Sequence, residues 1–152
     1  MEFETKIRVY SYLLALTSIT LGGLIYLAYR PLTLLMFDVL QSCHLMEMIA
    51  PLRSSCPPIP DWAMYSLPDG LWVFTYIVYI GTVNHFRLTT RCKLMLPVLP
   101  AIGICSELLQ YWGLMPGTFD VNDLAVYAIG TVSGLAYIRI AELVITKRTF
   151  NL

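Results

Sequence analysis

Charge is scarce in this sequence. Asp, Glu, Lys and Arg make up 13% of its 152 residues against 57% hydrophobic, and the mean hydropathy is +0.67. Such a chain has too few polar side chains to coat a water-soluble globule, which points to an integral membrane protein of one domain. The basic and acidic residues, 10 of each, cancel. With no basic patch and no interleaving of aromatic and basic residues, nothing argues for nucleic acid as a partner. Histidine is almost missing too. His44 and His85 stand in no metal-ligand spacing, which argues against a zinc site. No spacing of Ser, His and Asp suggests a triad, and there is no phosphate loop or nucleotide fingerprint. Internal repeats, low-complexity tracts and domain linkers are absent as well.

Long apolar runs are what remains. Val9 to Tyr29 is long enough to cross a bilayer, for which about 20 residues suffice. Gly22-Gly23 lies well inside it and nothing resembles a small-residue cleavage site, so it reads as a retained first span. Tyr29-Arg30-Pro31 ends it with an aromatic anchor, a snorkelling cation and a helix breaker. Further spans are expected over about 68–86, 94–112 and 123–145. The third carries Pro97 and Pro100 in its first turns, where a missing N–H does least harm. Arg87 to Lys93 forms a compact basic loop between the second and third.

The stretch from Leu32 to Ala50 differs from these. Asp38, Gln41, His44 and Glu47 recur every third residue, a pattern suited to one amphipathic helix that lies in the interface or re-enters from one side. Pro51, Pro57, Pro58 and Pro60 then prevent regular helix in the loop that follows. Counting four spans puts both termini in the cytoplasm together with Lys6, Arg8, Arg87, Arg91, Lys93, Arg139, Lys147 and Arg148. Only Arg30 and Arg53 are left outside, in keeping with the positive-inside rule. A fifth span over Leu32 to Ala50 would invert the second half and break that asymmetry. The fold class expected is therefore all-α: a polytopic bundle of four transmembrane helices plus one amphipathic or re-entrant helix on the outer side. Cys43 and Cys56 both fall in outer segments, where a disulfide and free thiols are equally open. Cys92 and Cys105 read as small residues in or beside helices.

The same topology gathers acids at the outer face, and one of them lies inside an apolar run. Glu107, Gln110 and Tyr111 stand at i, i+3 and i+4 on one helix face. A carboxylate within the hydrocarbon is costly and is a functional-site hypothesis by default. The competing reading is a structural hydrogen bond to a neighbouring helix. Asp120 is placed to cap the next helix, with Asp123 in its first turn as in a capping box, and Asp123 favours the positive end of the helix dipole in either case. Gly130 and Gly134 form a G-x-x-x-G step that permits close helix packing or dimerisation.

From Ser106 to Gly134 the chain resembles the VanZ-like family of small bacterial membrane proteins. Glu107-Leu108-Leu109-Gln110, then Phe119-Asp120-Val121, then Asp123 followed by Gly130 and Gly134, keep the order and rough spacing of that family's last two helices. The family typically has an arginine in the turn before its aspartates, where this chain has Pro116-Gly117-Thr118. It also has an asparagine four residues after the second aspartate, where Tyr127 stands. Its lysine–histidine pair in the earlier helices has no clear counterpart; Asp69, in Pro68-Asp69-Gly70-Leu71-Trp72 at the analogous outer start of a helix, is a candidate to replace part of that set. The resemblance implies a multi-pass protein of the bacterial inner (cytoplasmic) membrane with a role at the cell envelope, since the named member is associated with glycopeptide antibiotic resistance. It implies no particular reaction.

Two functions of different classes fit these residues. In the first, Asp69, Glu107, Gln110, Asp120, Asp123 and Tyr127 build an outward acidic pocket that binds a lipid-linked or envelope ligand and protects or modifies it. An enzymatic version would use Glu107 as general base with the aspartates holding a divalent cation, and no other cofactor is implied. In the second, the chain is a structural or effector subunit that assembles through Glu107 and the glycine step into a homo-oligomer, a pore or a complex with a partner membrane subunit. Proton-coupled transport is a third class, less suited to four spans without a repeat.

Overall fold

The computed structural model describes residues 2–150, with side chains to residue 148, and contains no strand among them. Its helices are α1 (Glu2–Tyr29), α2 (Leu35–Ser42), α3 (Met46–Ser55), α4 (Asp61–Tyr65), α5 (Leu67–Val83), α6 (Thr90–Met95), α7 (Val98–Tyr111) and α8 (Val121–Phe150). Three stretches, Glu2–Tyr29, Thr90–Tyr111 and Val121–Arg148, are long and apolar enough to cross a membrane. Their flanks expose Leu13, Leu16, Ile102, Ile129, Val132 and Ile140, a surface suited to hydrocarbon and too apolar for water.

The centre is α5, a helix of 17 residues, about 25 Å long. It is packed between α1 and α8, and α7 leans mainly on α8. Its buried residues include Pro68, Gly70, Val73, Thr75, Ile77, Val78, Gly81 and Thr82, spread around its circumference. A helix apolar on all sides has no amphipathic stripe and belongs in an interior. Small residues let the neighbours close on it. A Cβ at Gly130 would sit 2.4 Å from the Gly70 carbonyl oxygen, and one at Gly70 would sit 2.9 Å from Val126 Cβ. Gly134 meets Ile77 in the same way, and Gly81 receives Ile138. The glycine step of α8 thus faces α5 within one chain, where the sequence left packing and dimerisation both open.

Polar side chains tie the bundle at depth. The buried Ser11 hydroxyl bonds the Ile7 carbonyl and shares a 2.8 Å contact with the Tyr137 hydroxyl, joining α1 to α8. Thr75 Oγ1 donates to the Ala15 carbonyl at 3.3 Å, joining α5 to α1. At the other end of the bundle, His85 Nδ1 donates to Glu4 Oε1 at 2.8 Å, joining the end of α5 to α1.

Several expected boundaries move. The single helix over 32–50 is two helices, broken at His44, whose φ of 57° places it in the left-handed region. The amides of His44 and Leu45 close back on the carbonyls of Gln41 and Leu40, the paired bonds of a Schellman stop. Asp38 and Glu47 therefore lie on different helices and share no face. Pro51, expected in a loop, sits inside α3 as its sixth residue, where it leaves the Glu47 carbonyl without its usual i+4 amide. The basic loop is shorter than expected, because Thr89 caps a helix starting at Thr90 by accepting from the Cys92 amide. Pro97 then falls at the junction between α6 and α7 instead of in a first turn. Cys43 and Cys56 are free thiols.

Arg53 has a structural task that composition alone does not show. From α3 its Nη1 donates to the Leu27 carbonyl at 2.6 Å and its Nη2 to the Arg30 carbonyl at 2.9 Å, closing orphan acceptors at the C-terminus of α1 with a cation at the negative end of the dipole. Its guanidinium also lies 5.2 Å from the centre of the buried Phe37 ring. Arg53→Met should keep the bulk and lose both bonds, lowering stability by about 2 kcal/mol. Thermal unfolding of the purified chain in detergent would read this as a lower midpoint, and an unchanged midpoint would mean water replaces the guanidinium without cost.

Candidate functional site

The site is assembled where α1 ends, α5 and α8 begin, and α7 finishes. Gly113, at φ 69°, lets α7 stop: its amide bonds the Gln110 carbonyl and that of Leu114 bonds the Leu109 carbonyl, a second Schellman arrangement. Gly117, at φ 132°, keeps the turn close to the helix it has just left, since a Cβ there would meet the Gln110 amide at 2.7 Å. Tyr111 and Phe119 meet edge to face across this turn at 5.2 Å.

Asp120 then caps α8, its Oδ1 accepting from the Asn122 amide at 2.8 Å. The capping box suggested by Asp120 and Asp123 does not close. The Asp120 amide donates instead to Glu107 Oε2 at 3.1 Å. Glu107, only 4% exposed, thus acts as the reciprocal partner from the preceding helix. Asp123 is released from that duty, and its Oδ1 is buried without a hydrogen-bond partner. Tyr127, one turn further along α8, lies flat against Gly103, whose missing Cβ leaves room for the ring.

Asp69 comes from the first turn of α5. Arg30 reaches it from the end of α1, with Nη2 3.9 Å from Asp69 Oδ2 and donating to the Tyr65 carbonyl at 2.7 Å. The guanidinium also lies 5.0 and 5.2 Å from the ring centres of Tyr26 and Tyr65, a placement that favours a cation over aromatic faces. Its Nε is buried and unpartnered. Arg30 therefore folds back into the bundle rim, where the sequence suggested a cation snorkelling to water.

Asp69, Glu107, Gln110, Asp120, Asp123 and Tyr127 all line one cavity of about 490 Å³, within the range of small-molecule sites. Arg30, Tyr65, Ser106, Gly117 and Thr118 complete its wall. Four carboxylates and one guanidinium face a single space. Among the described residues no three His, Cys, Asp or Glu side chains stand close enough to hold a metal ion. The four carboxylates and the guanidinium make this wall a charged binding surface. Sequence reasoning had no site role for Arg30, Tyr65, Ser106 and Thr118. The one available signal was that the expected topology left Arg30 and Arg53 as the only outer cations; both are engaged by protein groups. No family model, curated protein or solved structure matches this chain.

Proposed function

We propose that the chain is a four-span membrane protein, with both termini in the cytoplasm, whose rim cavity faces outward and binds a polar ligand of the bacterial cell envelope. The three long apolar helices and the enclosed α5 fit that topology, and the VanZ-like pattern from Glu107 to Gly134 fits that role. The observation that carries the reading is the convergence of six polar residues from α5, α7 and α8, with the connecting turn, on one cavity. Folding alone does not use all of them. Asp120 is a helix cap and Glu107 its partner, but the buried Asp123 oxygen has no structural bond, and a buried acceptor left unpaired costs free energy unless something else pairs it.

The ligand is bound by Asp69, Glu107, Gln110, Asp123 and Tyr127, with Asp120 holding the rim in shape. The assembly reading loses its main support, because the glycine step is filled by α5. The test is made in cells whose tolerance of an envelope-directed agent depends on this protein. Glu107→Gln and Asp123→Asn should each abolish that tolerance at unchanged membrane abundance. Full tolerance with both substitutions combined would end the proposal, and loss of abundance in both would return these acids to architecture.

A further inference from the structure

A second cavity lies one helical turn from the first. It is a groove of about 590 Å³, open on its lipid side, between α1 and the α5 residues Trp72, Thr75, Tyr76 and Tyr79, with Leu99 of α7 at its edge. Asp69 lines the polar cavity and Trp72 the groove. Positions 69, 72, 76 and 79 follow each other down one face of α5. Tyr26, under the Arg30 guanidinium, also packs on Trp72 at 5.6 Å between ring centres, so one aromatic stack links Arg30 in the wall of the rim cavity to Trp72 in the wall of the groove.

The groove is dry by construction. The Thr75 hydroxyl is directed to the Ala15 carbonyl and the Tyr76 hydroxyl to the Met95 carbonyl at 2.6 Å. What faces the space is almost wholly carbon. Its length from Trp72 to Tyr79 is about 10 Å along the helix. The head of the site has the opposite character, with charges of both signs and two orphaned atoms. Arg30 Nε is a buried donor and Asp123 Oδ1 a buried acceptor, each without a partner. An orphan donor on a guanidinium fits a phosphate oxygen, and an orphan carboxylate oxygen fits an ammonium.

On the reading that the rim cavity binds a ligand, we infer that the ligand is a zwitterionic membrane phospholipid, with its phosphodiester at Arg30 and its amine among Asp69, Glu107 and Asp123. One hydrocarbon chain lies in the groove beside Trp72 and Tyr76. A purely anionic head would bring its charge against four carboxylates. A second copy of the chain could cover the groove but would leave the two orphaned atoms unmet. Each methylene taken into the groove replaces contact with fluid lipid by contact with a fixed wall, so the head supplies most of the selectivity and the groove sets the orientation.

The experiment uses the full chain in nanodiscs of equal phosphatidylethanolamine and phosphatidylglycerol, released into a mass spectrometer under native conditions. One phosphatidylethanolamine per chain should be retained in preference to phosphatidylglycerol. Leu16→Trp, from an exposed groove wall, should lower retention of either lipid about tenfold, and Asp123→Asn should lower the preference for the amine about tenfold. Ile19→Trp repeats the groove test should Leu16→Trp fail to purify. Equal retention of the two lipids by the unaltered chain, or none, would overturn the inference. Retention that survives both tryptophans but falls with Asp123→Asn would overturn the chain placement while leaving the rim cavity as a binding site. A dimer that both tryptophans dissociate would assign the groove to a second copy and overturn the inference as well. Should the lipid result fail while Glu107→Gln still abolishes tolerance in cells, the cavity reading stands and only the ligand class falls.

Discussion

Gly130→Leu should leave no folded protein in the membrane. The Cβ of any residue there would sit 2.4 Å from the Gly70 carbonyl oxygen and 3.3 Å from both Gly70 C and Phe74 N. All three are backbone atoms of α5, so no side chain can rotate away, and the two helices must separate. Because α5 is the element that α1 and α8 both pack upon, separation opens the bundle along its whole length. Overpacking in a close-packed interior costs about 1–3 kcal/mol for an added methylene or two, and a leucine against rigid backbone should exceed that. Gly130→Ala should already lower the unfolding midpoint strongly. The control lies in α1, where a Cβ at Gly23 meets nothing within 4 Å. Gly23→Ala should be neutral or stabilising by roughly 0.5–1 kcal/mol, through the intrinsic preference of helices for alanine. Membrane abundance and unfolding midpoints in detergent read both. A Gly130→Leu chain as abundant and stable as the parent would show that α5 and α8 do not cross as described.

Glu107→Leu and Glu107→Gln should separate architecture from function. Glu107 Oε2 accepts the Asp120 amide at the start of α8. Leucine would remove that acceptor from a buried position and strand the amide, costing about 2–3 kcal/mol. Glutamine keeps a carbonyl oxygen at nearly the same place and loses only the charge and some bond strength, so stability should change by less than about 1 kcal/mol. The functional readout should not follow this order. If the cavity needs the charge of Glu107, tolerance in cells falls as far with glutamine as with leucine even though only leucine harms the fold. Tolerance that tracks stability across the pair would reduce Glu107 to a capping residue.

The sequence carried much of the site because of a simple conflict. A carboxylate within an apolar run needs a reason, and Glu107 has two: the Asp120 amide and the cavity. Gln110 follows from helical spacing, and Asp120 and Asp123 from their place at a helix start. The partner of Asp120 could not be read in the same way. A capping box is a local motif, and the actual partner lies across a turn whose path depends on Gly113 and Gly117. Arg30 and Arg53 were hidden for a related reason, since their bonds reach carbonyls 23 to 35 positions away. The break at His44 escaped because a left-handed stop usually carries glycine or asparagine, and here a histidine occupies it. The glycine step was visible, but a motif that permits close approach does not say which helix approaches.

Thiol accessibility tests the central claim most directly, that water outside the membrane reaches the polar space at the rim. Thr118→Cys lies on the exposed turn and Ser106→Cys lies about a turn or more deeper in the same wall. Both are placed singly in a background without the four natural cysteines and offered a membrane-impermeant maleimide from either side. Labelling of both from the outer side, with the Ser106→Cys signal blocked by a bound ligand, is the result the account predicts. Labelling of Thr118→Cys alone, or of either only from the cytoplasmic side, would contradict it.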